Sequence, residues 1–409
     1  MSASVGRRIL MRFCRNHSKI LSTRTRNVRF ISITNNNLND STKVPASENV
    51  YAAVLKEFSN PLVVETIEPP KISQANEVLI DVNYCTLNAS DVLLAKNLYT
   101  SEQQLPMVLG HELVGKLIQV GEKAQKCGYK IGDKVVALNK DINGGLSEHC
   151  IAEVSDIWKV PSEVKSLDAV CLLNDYVNAL VALERKVSIQ EDDMILINVG
   201  MSSIGLAAVD LATNVYKAQV IAVCATEDGA ELAREKGVLA SFKFKDRKLL
   251  KQIEEVAAEK DIKAIFDDAD GEYFKQVLDC FTAVYKSGAT IKDLLCENSF
   301  AVVVHHLSRE GRIIIAGTAA TMTKTDSDQF SVSGFNLREY RKQKPEEYRQ
   351  AGEDVLQFFE EGLIKPTRVL IVGLNKVNDA LEFILNSKPT GKVIVDIKNK
   401  EAEVEKVTE

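Results

Sequence analysis

Short apolar runs divided by turn residues set the pattern from Tyr51 to about Ala152: YAAVLKEF, PLVVETIE, EVLIDVNYC, ELVGKLIQVG and DKVVALN. Apolar and polar positions alternate within these runs, and closely spaced glycines punctuate them. That pattern predicts a twisted, barrel-like β-domain with few helices. After about Asp168 the texture changes. The spacing predicts helices over 169–187, 203–217, 227–236, 246–259 and 271–281, alternating with strands over 194–199, 219–224, 240–244, 264–268 and 312–316. Repeated βα units imply a parallel, doubly wound sheet with helices on both faces. Beyond Gly334 the pattern gives a charged helix over 345–361, an amphipathic segment over 377–385 and a last strand over 392–397. A returning strand of this kind rejoins the first domain and makes that domain discontinuous. Residues 283–299 read as an insertion, and EAEVEKVTE as a frayed acidic end.

One stretch carries more information than the rest. Met194–Val199 is a short apolar strand, Gly200–Gly205 a small-residue turn, Leu206–Lys217 a helix and Gln219–Cys224 a second β-branched run. Such a turn presents free backbone N–H groups at a helix N-terminus, where the macrodipole favours a phosphate. That is the physics of a dinucleotide site at the start of a parallel sheet. Glycine pairs at this spacing also occur in plain βα turns, so the turn does not decide alone.

Composition narrows the class. With 409 residues, 45% apolar and 26% charged, the chain has the make-up of a soluble globular protein with room for two cores. Its longest uncharged run, Met194–Val209, falls short of the ~20 residues that span a bilayer, so no transmembrane helix is expected. The first 39 residues hold eight Lys and Arg and no acid before Asp40. This is the composition of a mitochondrial transit peptide; the alternative is a disordered basic arm that touches nucleic acid or membrane. Residues 40–50 are polar and read as a linker. Without those eight positive charges the formal −6 of the chain becomes −14, which argues against nucleic acid as a partner. The eight cysteines are scattered, with no C-x-x-C pair, so neither a disulfide framework nor a four-cysteine zinc lobe is indicated.

Six motifs then fall in sequence order: Asn88-Ala89-Ser90-Asp91, the GHELVG run Gly110–Gly115, Gly132-Asp133-Lys134-Val135, Ile204–Val209, Gly311–Gly317 and Gly391-Lys392-Val393. Over about residues 50–398 the arrangement resembles the medium-chain dehydrogenase/reductase superfamily and, within it, the zinc-free quinone oxidoreductase branch. The resemblance implies an α/β fold: a GroES-like β-barrel catalytic domain over 51–175, a Rossmann doubly wound domain over 176–340, a return to the catalytic domain over 341–398 and an acidic tail over 399–409. It also implies a homodimer joined at the sheet edge of the nucleotide domain, and a small-molecule quinone or enone as substrate. Zinc-dependent members of the superfamily place three ligands at positions that align with Asn88, His111 and Asn174. Carboxamide oxygens are poor zinc donors beside thiolates, so no catalytic metal is expected. His111 is then read as a structural hydrogen-bonding residue.

By the same resemblance Asn88, Asp91 and Tyr99 are the catalytic candidates, with Asn88 facing the nicotinamide end of the cleft and Tyr99 at its mouth. The cofactor candidates are Asn178, Gly200, Ser202, Ser203, Ile204, Gly205, Cys224, Thr226 and Gly317. Ser202 and Ser203 stand where relatives carry glycine. Either their Cβ atoms crowd the pyrophosphate, or a hydroxyl donates to it. Cys224 stands where an NAD site has an acid for the ribose 2′-OH, and Glu227-Asp228 follow where an NADP site would want a base. The family's habit favours NADPH, with NADH left open. Lys342-Gln343-Lys344, with Arg338 and Arg341, is either a solvated helix flank or a contact for an acyl-CoA phosphate. His305 and His306 read as packing residues. The expected reaction is hydride transfer to a quinone or α,β-unsaturated carbonyl. An enoyl-thioester reductase and a non-catalytic member of the fold are the alternatives.

Overall fold

The computed structural model describes residues 49–409 except 98–103, 201–202, 244–247, 258–259, 261, 268–306, 317–324, 327–329, 388, 403–404 and 407–409. The basic segment 1–39, most of the linker, Tyr99, Ser202, Gly317, the helix expected over 271–281, the 283–299 insertion, His305 and His306 therefore lie outside the described residues. Among the described residues no helix is long and apolar enough to cross a membrane.

The alternating runs of the first part form β1 (Val50–Leu55), β2 (Val63–Ile67), β3 (Glu77–Leu87), β4 (Met107–Val108), β5 (Glu112–Val120), β6 (Lys134–Leu138), β7 (His149–Glu153) and β8 (Ile157–Lys159), with α1 (Ala89–Ala95) after β3. Val50 already belongs to a strand, so the ladder begins one residue inside the expected linker. β3 is the spine of this half. It pairs antiparallel with β5 and with β7, and β5 passes the ladder on to β6 and β8.

The second part alternates as its sequence predicts. α2 (Leu173–Leu180), which runs on as a π-helical turn, leads into β9 (Met194–Val199). There follow α3 (Ser203–Asp210), β10 (Gln219–Cys224), α4 (Glu227–Glu235), β11 (Ala240–Lys243), α5 (Leu249–Ala257) and β12 (Ile262–Asp267). After the undescribed segment come β13 (Leu307–Ala316), β14 (Thr325–Asp326) and β15 (Phe330–Phe335). The strand order is β11-β10-β9-β12-β13-β15-β14. Six of these strands run parallel, and only β14 is antiparallel, on the outer side of β15. Leaving β14 aside, the order reverses between β9 and β12, which is the doubly wound arrangement. In such sheets ligands bind beyond the carboxyl ends of the strands at that reversal.

The chain then returns. α6 (Leu337–Gln343) and α7 (Pro345–Glu360) lead to β16 (Arg368–Gly373), α8 (Val377–Ser387) and β17 (Lys392–Asp396). β17 pairs antiparallel with β3, setting Val393 opposite Leu87. The end of the chain departs from the frayed tail expected of it. Gly373 N–H donates to the Ala402 carbonyl at 3.1 Å and Asn375 N–H to the Lys400 carbonyl at 3.1 Å. β18 (Glu405–Lys406) then adds to the edge of β16. Edge pairing draws on backbone groups, so the acidic side chains do not prevent it.

Two apolar clusters hold the molecule. One lies inside the barrel. The other runs from the nucleotide sheet through α2 to α7, and it takes in Val114, Val136, Leu138, Trp158 and Ile394 from the barrel's strands. Barrel and nucleotide sheet thus share a core along α2.

Candidate active site

Gly110 opens the site. Its φ is +87°, a left-handed conformation that suits glycine, and a Cβ there would lie 2.5 Å from Cys85 Sγ. The tight turn brings His111 and Glu112 beneath β3. Asp91, 1% exposed, clamps the turn to α1: its carboxylate accepts Asn88 N–H at 2.8 Å and Gly110 N–H at 3.2 Å, and lies 3.5 Å from His111 Nδ1. Burial works to raise the Asp91 pKa, but His111 and the two backbone donors outweigh it and hold the carboxyl below its usual range. Both oxygens are engaged by neighbours, so Asp91 positions the site.

At the centre stands Lys392, 2% exposed on β17. Its ammonium donates to Glu112 Oε2 at 2.7 Å and Asn88 Oδ1 at 3.0 Å, and lies 3.0 Å from Asp175 Oδ2. Burial would push this lysine down; Asp175 and Glu112 overcome that and raise its pKa above the ordinary value. Glu112, fully buried, also accepts Thr86 Oγ1 at 2.6 Å and Asn174 N–H at 2.7 Å. Asn174 Nδ2 donates to Asn88 Oδ1 at 3.1 Å and to Asp175 Oδ1 at 2.9 Å. A second lysine, half-buried Lys140 in the loop after β6, donates to Asn174 Oδ1 at 2.6 Å. The network joins the barrel, α2 and the returning strand at one place.

The structure brings Asn88 and Asn174 into contact as the resemblance implies. It also shows what their oxygens do: one faces the ammonium of Lys392, the other that of Lys140. A divalent metal between them would meet two positive charges, so the donor set does not fit zinc. His111, 4% exposed, turns Nδ1 to Asp91, and its buried Nε2 makes no hydrogen bond among the described residues. Among the described residues no group of three His, Cys, Asp or Glu could hold a metal.

The nucleotide candidates lie at the head of the doubly wound sheet. Gly200 follows β9 directly, and Ser203, Ile204 and Gly205 form the first turn of α3, which contains no acid. The described part of this helix N-terminus therefore places no like charge beside a phosphate. Cys224 ends β10 fully buried, with its thiol pushed up to about 12 by burial, so it is a packing residue and an inert one. Thr226 caps α4, its Oγ1 accepting Gly229 N–H at 3.1 Å. Glu227 points into solvent, 3.0 Å from Arg234 and 3.1 Å from Lys243. Lys243 stands in register beside Cys224. Asn178 is buried on α2 and donates to the Asn174 carbonyl at 2.6 Å, which ties it to the network.

In the basic cluster Lys342 and Lys344 stay exposed, beside Glu339 and Glu347 on their own segment, whereas the two arginines are engaged by acids of the barrel. Arg341 bonds Asp141 at 2.6 Å and Glu153 at 3.1 Å and also holds Asp156, while Arg338 bonds Asp141. Burial lifts Asp156 to about 6 in spite of Arg341. These arginines fasten the return segment to the barrel.

Sequence reasoning assigned no role to Lys140, Asp175, Glu112 or Lys392. Signals were available for the last two: an acid inside the apolar GHELVG run, and a lysine opening the apolar strand VIV. A charge at such a position requires a buried partner.

Residues 74–162 match the alcohol dehydrogenase GroES-like domain. The chain is 27% identical over 356 residues to quinone oxidoreductase-like protein 2 of Bos taurus, spanning 86% of this chain and 93% of that one. Its fold resembles that of the CurK enoyl reductase, with a TM-score of 0.69, 22% identity and coverage of 85% and 99%. It also resembles mycobacterial Rv1454c complexed with NADPH, with a TM-score of 0.68, 19% identity and coverage of 85% and 100%. Barrel, strand-order reversal and motif order agree with these likenesses: residues 74–162 carry the alcohol dehydrogenase GroES-like domain, and along most of its length the chain is similar to oxidoreductases of the quinone oxidoreductase kind.

Proposed function

We propose that the protein is a metal-independent, NADPH-dependent reductase of quinones or α,β-unsaturated carbonyls. One observation carries the reading: the position that holds zinc in other members is built here from two carboxamides and two ammonium groups. Within it, Asn88 Nδ2 and the Lys140 ammonium keep hydrogens that can meet a carbonyl oxygen and stabilise negative charge on it without a metal. When bound, the reduced nicotinamide supplies hydride, and the protein supplies alignment and exclusion of water. Gly200 and the first turn of α3 would hold the pyrophosphate. Asn88 directs Nδ2 to Thr86 Oγ1 at 3.2 Å, which leaves its second amide hydrogen for substrate. The enoyl reductase and the NADPH complex among the similar structures support this chemistry. Purified protein with NADPH and a panel of enones and quinones tests it. Folded protein that binds NADPH and oxidises none of it would refute the reading.

NADPH is favoured over NADH by the neutral Cys224 at the end of β10 and by Lys243 beside it. Glu227 shares both Arg234 and Lys243, so one positive charge is left over for a 2′-phosphate. Lys243→Glu is expected to weaken NADPH binding about tenfold, equivalent to one lost charge-assisted contact, with little change for NADH. Fluorescence titration of the two nucleotides measures the ratio, and equal weakening of both would contradict the assignment.

The acid-free segment 1–39 supports a mitochondrial location, and a fluorescent fusion lacking it should stay in the cytosol. A homodimer joined at the nucleotide sheet would meet β14 before β15, because β14 covers Ser331 and Val332.

A further inference from the structure

The two lysines of the site differ in one respect. Lys392 has an acceptor for each of its three N–H bonds, two of them carboxylates. Its proton is held from every side, and its role is to tie the halves together. Lys140 has one acceptor, the neutral carboxamide oxygen of Asn174, and no carboxylate among the described residues lies within ion-pair distance of it. Among the described residues the other two N–H bonds of this ammonium have no acceptor. They belong to a half-buried side chain that reaches both the network and solvent.

We propose that Lys140 is the general acid of this site: it hydrogen-bonds the carbonyl oxygen of a conjugated substrate and protonates that oxygen as hydride reaches the distal carbon. The proposal rests on the reductase reading and narrows its substrate class to conjugated carbonyls. The reduced nicotinamide dinucleotide gives hydride, two electrons and one proton, to the β-carbon of an enone. The C=C pair moves to form a new double bond at the carbonyl carbon, and the C=O pair moves onto oxygen. The Lys140 N–H bond breaks as an O–H bond forms. The product is an enol, which becomes the saturated carbonyl in water, and the neutral amine regains its proton from solvent. The substrate is reduced by two electrons, and the dinucleotide is oxidised by two.

The surroundings suit the task. Burial pushes Lys140 down from the ordinary lysine value, Glu112 on β5 opposes this, Lys392 on β17 adds to it, and Asp91 on α1 and Asp175 on α2 oppose it; the outcome is about 8. At neutral pH the group is charged and gives up its proton readily, the condition for efficient acid catalysis. The folded form loses this proton before the unfolded chain does, so Lys140 costs stability at neutral pH, and that cost fades as pH rises from about 8 toward 10.5.

The test compares full-length wild type with Lys140→Met and Lys140→Arg. Arginine keeps the charge and does not release its proton. Each variant is first checked for folding by thermal melting and for NADPH binding by fluorescence. Both are expected to bind NADPH as wild type does, with Lys140→Met melting no lower than wild type at pH 7. Both should lose about 100-fold or more in kcat for an enone, the usual loss for a missing acid. Wild-type kcat should fall as pH rises through about 8, and that limb should be absent from both variants. Enone turnover within threefold of wild type in a folded variant, with the limb unchanged, would overturn the role of Lys140 and leave the reductase standing. Wild type that reduces no conjugated carbonyl would overturn both.

Discussion

Replacing Lys392 by methionine is expected to lower stability by about 3–5 kcal/mol, the loss seen when one partner is removed from a buried ion pair. Methionine fills much of the space of the lysine stem, so the loss is electrostatic. Glu112, fully buried, and Asp175, 2% exposed, would then stand as two carboxylates without their cation. Thr86 and the Asn174 N–H still satisfy Glu112 in part, which keeps the cost below that of a bare buried charge. Adding Glu112→Gln should recover part of the loss, because it removes one of the stranded charges; contacting residues are where such non-additivity appears. Urea unfolding of the single and double variants measures both values. A single variant within 1 kcal/mol of wild type would mean that the ammonium has little share in holding the halves together. The wild-type contribution has a defined pH range. The native pKa of Lys392 is raised, so its stabilisation is full below the ordinary lysine value and is lost as pH rises through the higher native one.

Trp158→Ala should cost about 3–5 kcal/mol, in the range for aromatic residues removed from a core. The indole is 1% exposed, donates from Nε1 to the Arg349 carbonyl at 3.0 Å, and meets the Tyr348 ring edge-on with centroids 5.3 Å apart. It is the sole tryptophan of the chain, so its fluorescence reports the packing of α7 on the barrel. Gly352, in the middle of α7, is the complement of this ring: a Cβ there would overlap Cε2, Nε1 and Cζ2 of the indole. Alanine is the better helix former by about 1 kcal/mol, yet Gly352→Ala is expected to destabilise by about 1–3 kcal/mol through overpacking. Combined with Trp158→Ala, the Gly352→Ala change should cost nothing further and can stabilise the helix. Thermal melts of the three variants test this sign reversal. A stabilised Gly352→Ala single variant would show that α7 can shift away from the ring.

The period of apolar residues carries the element order of both halves, including the strand that returns to the barrel. It does so because each strand or helix buries a face that its own spacing dictates. Glu405–Lys406 was legible only as charge, since what fixes it is a pair of backbone contacts to Leu370 and Ile371. The same limit applies at the site. Asn88 and Asn174 are readable because they fall inside local motifs with a known partner set. The contact between Lys392 and Glu112 joins residues 280 positions apart, and no local spacing encodes that. Lys140 offers still less: it follows an ordinary strand, and its character comes from burial, tempered by charged groups on four separate elements.

The pairing of β17 with β3 has a consequence for biosynthesis. Lys392 and Asn88, which meet in the network, are 304 positions apart. At about 5–20 residues per second, a ribosome takes roughly 15–60 s to go from one to the other. For that time the end of β3 that β17 covers, residues 84–87, has left the exit tunnel with one edge bare, an unpaired stretch of the kind that chaperones cover and that otherwise nucleates aggregates. The nucleotide half, whose strands lie close together in sequence, can complete itself meanwhile. The barrel is thus the last part of the nascent protein to close, and a message truncated before codon 392 yields a finished nucleotide-sheet half beside an open barrel with no assembled site.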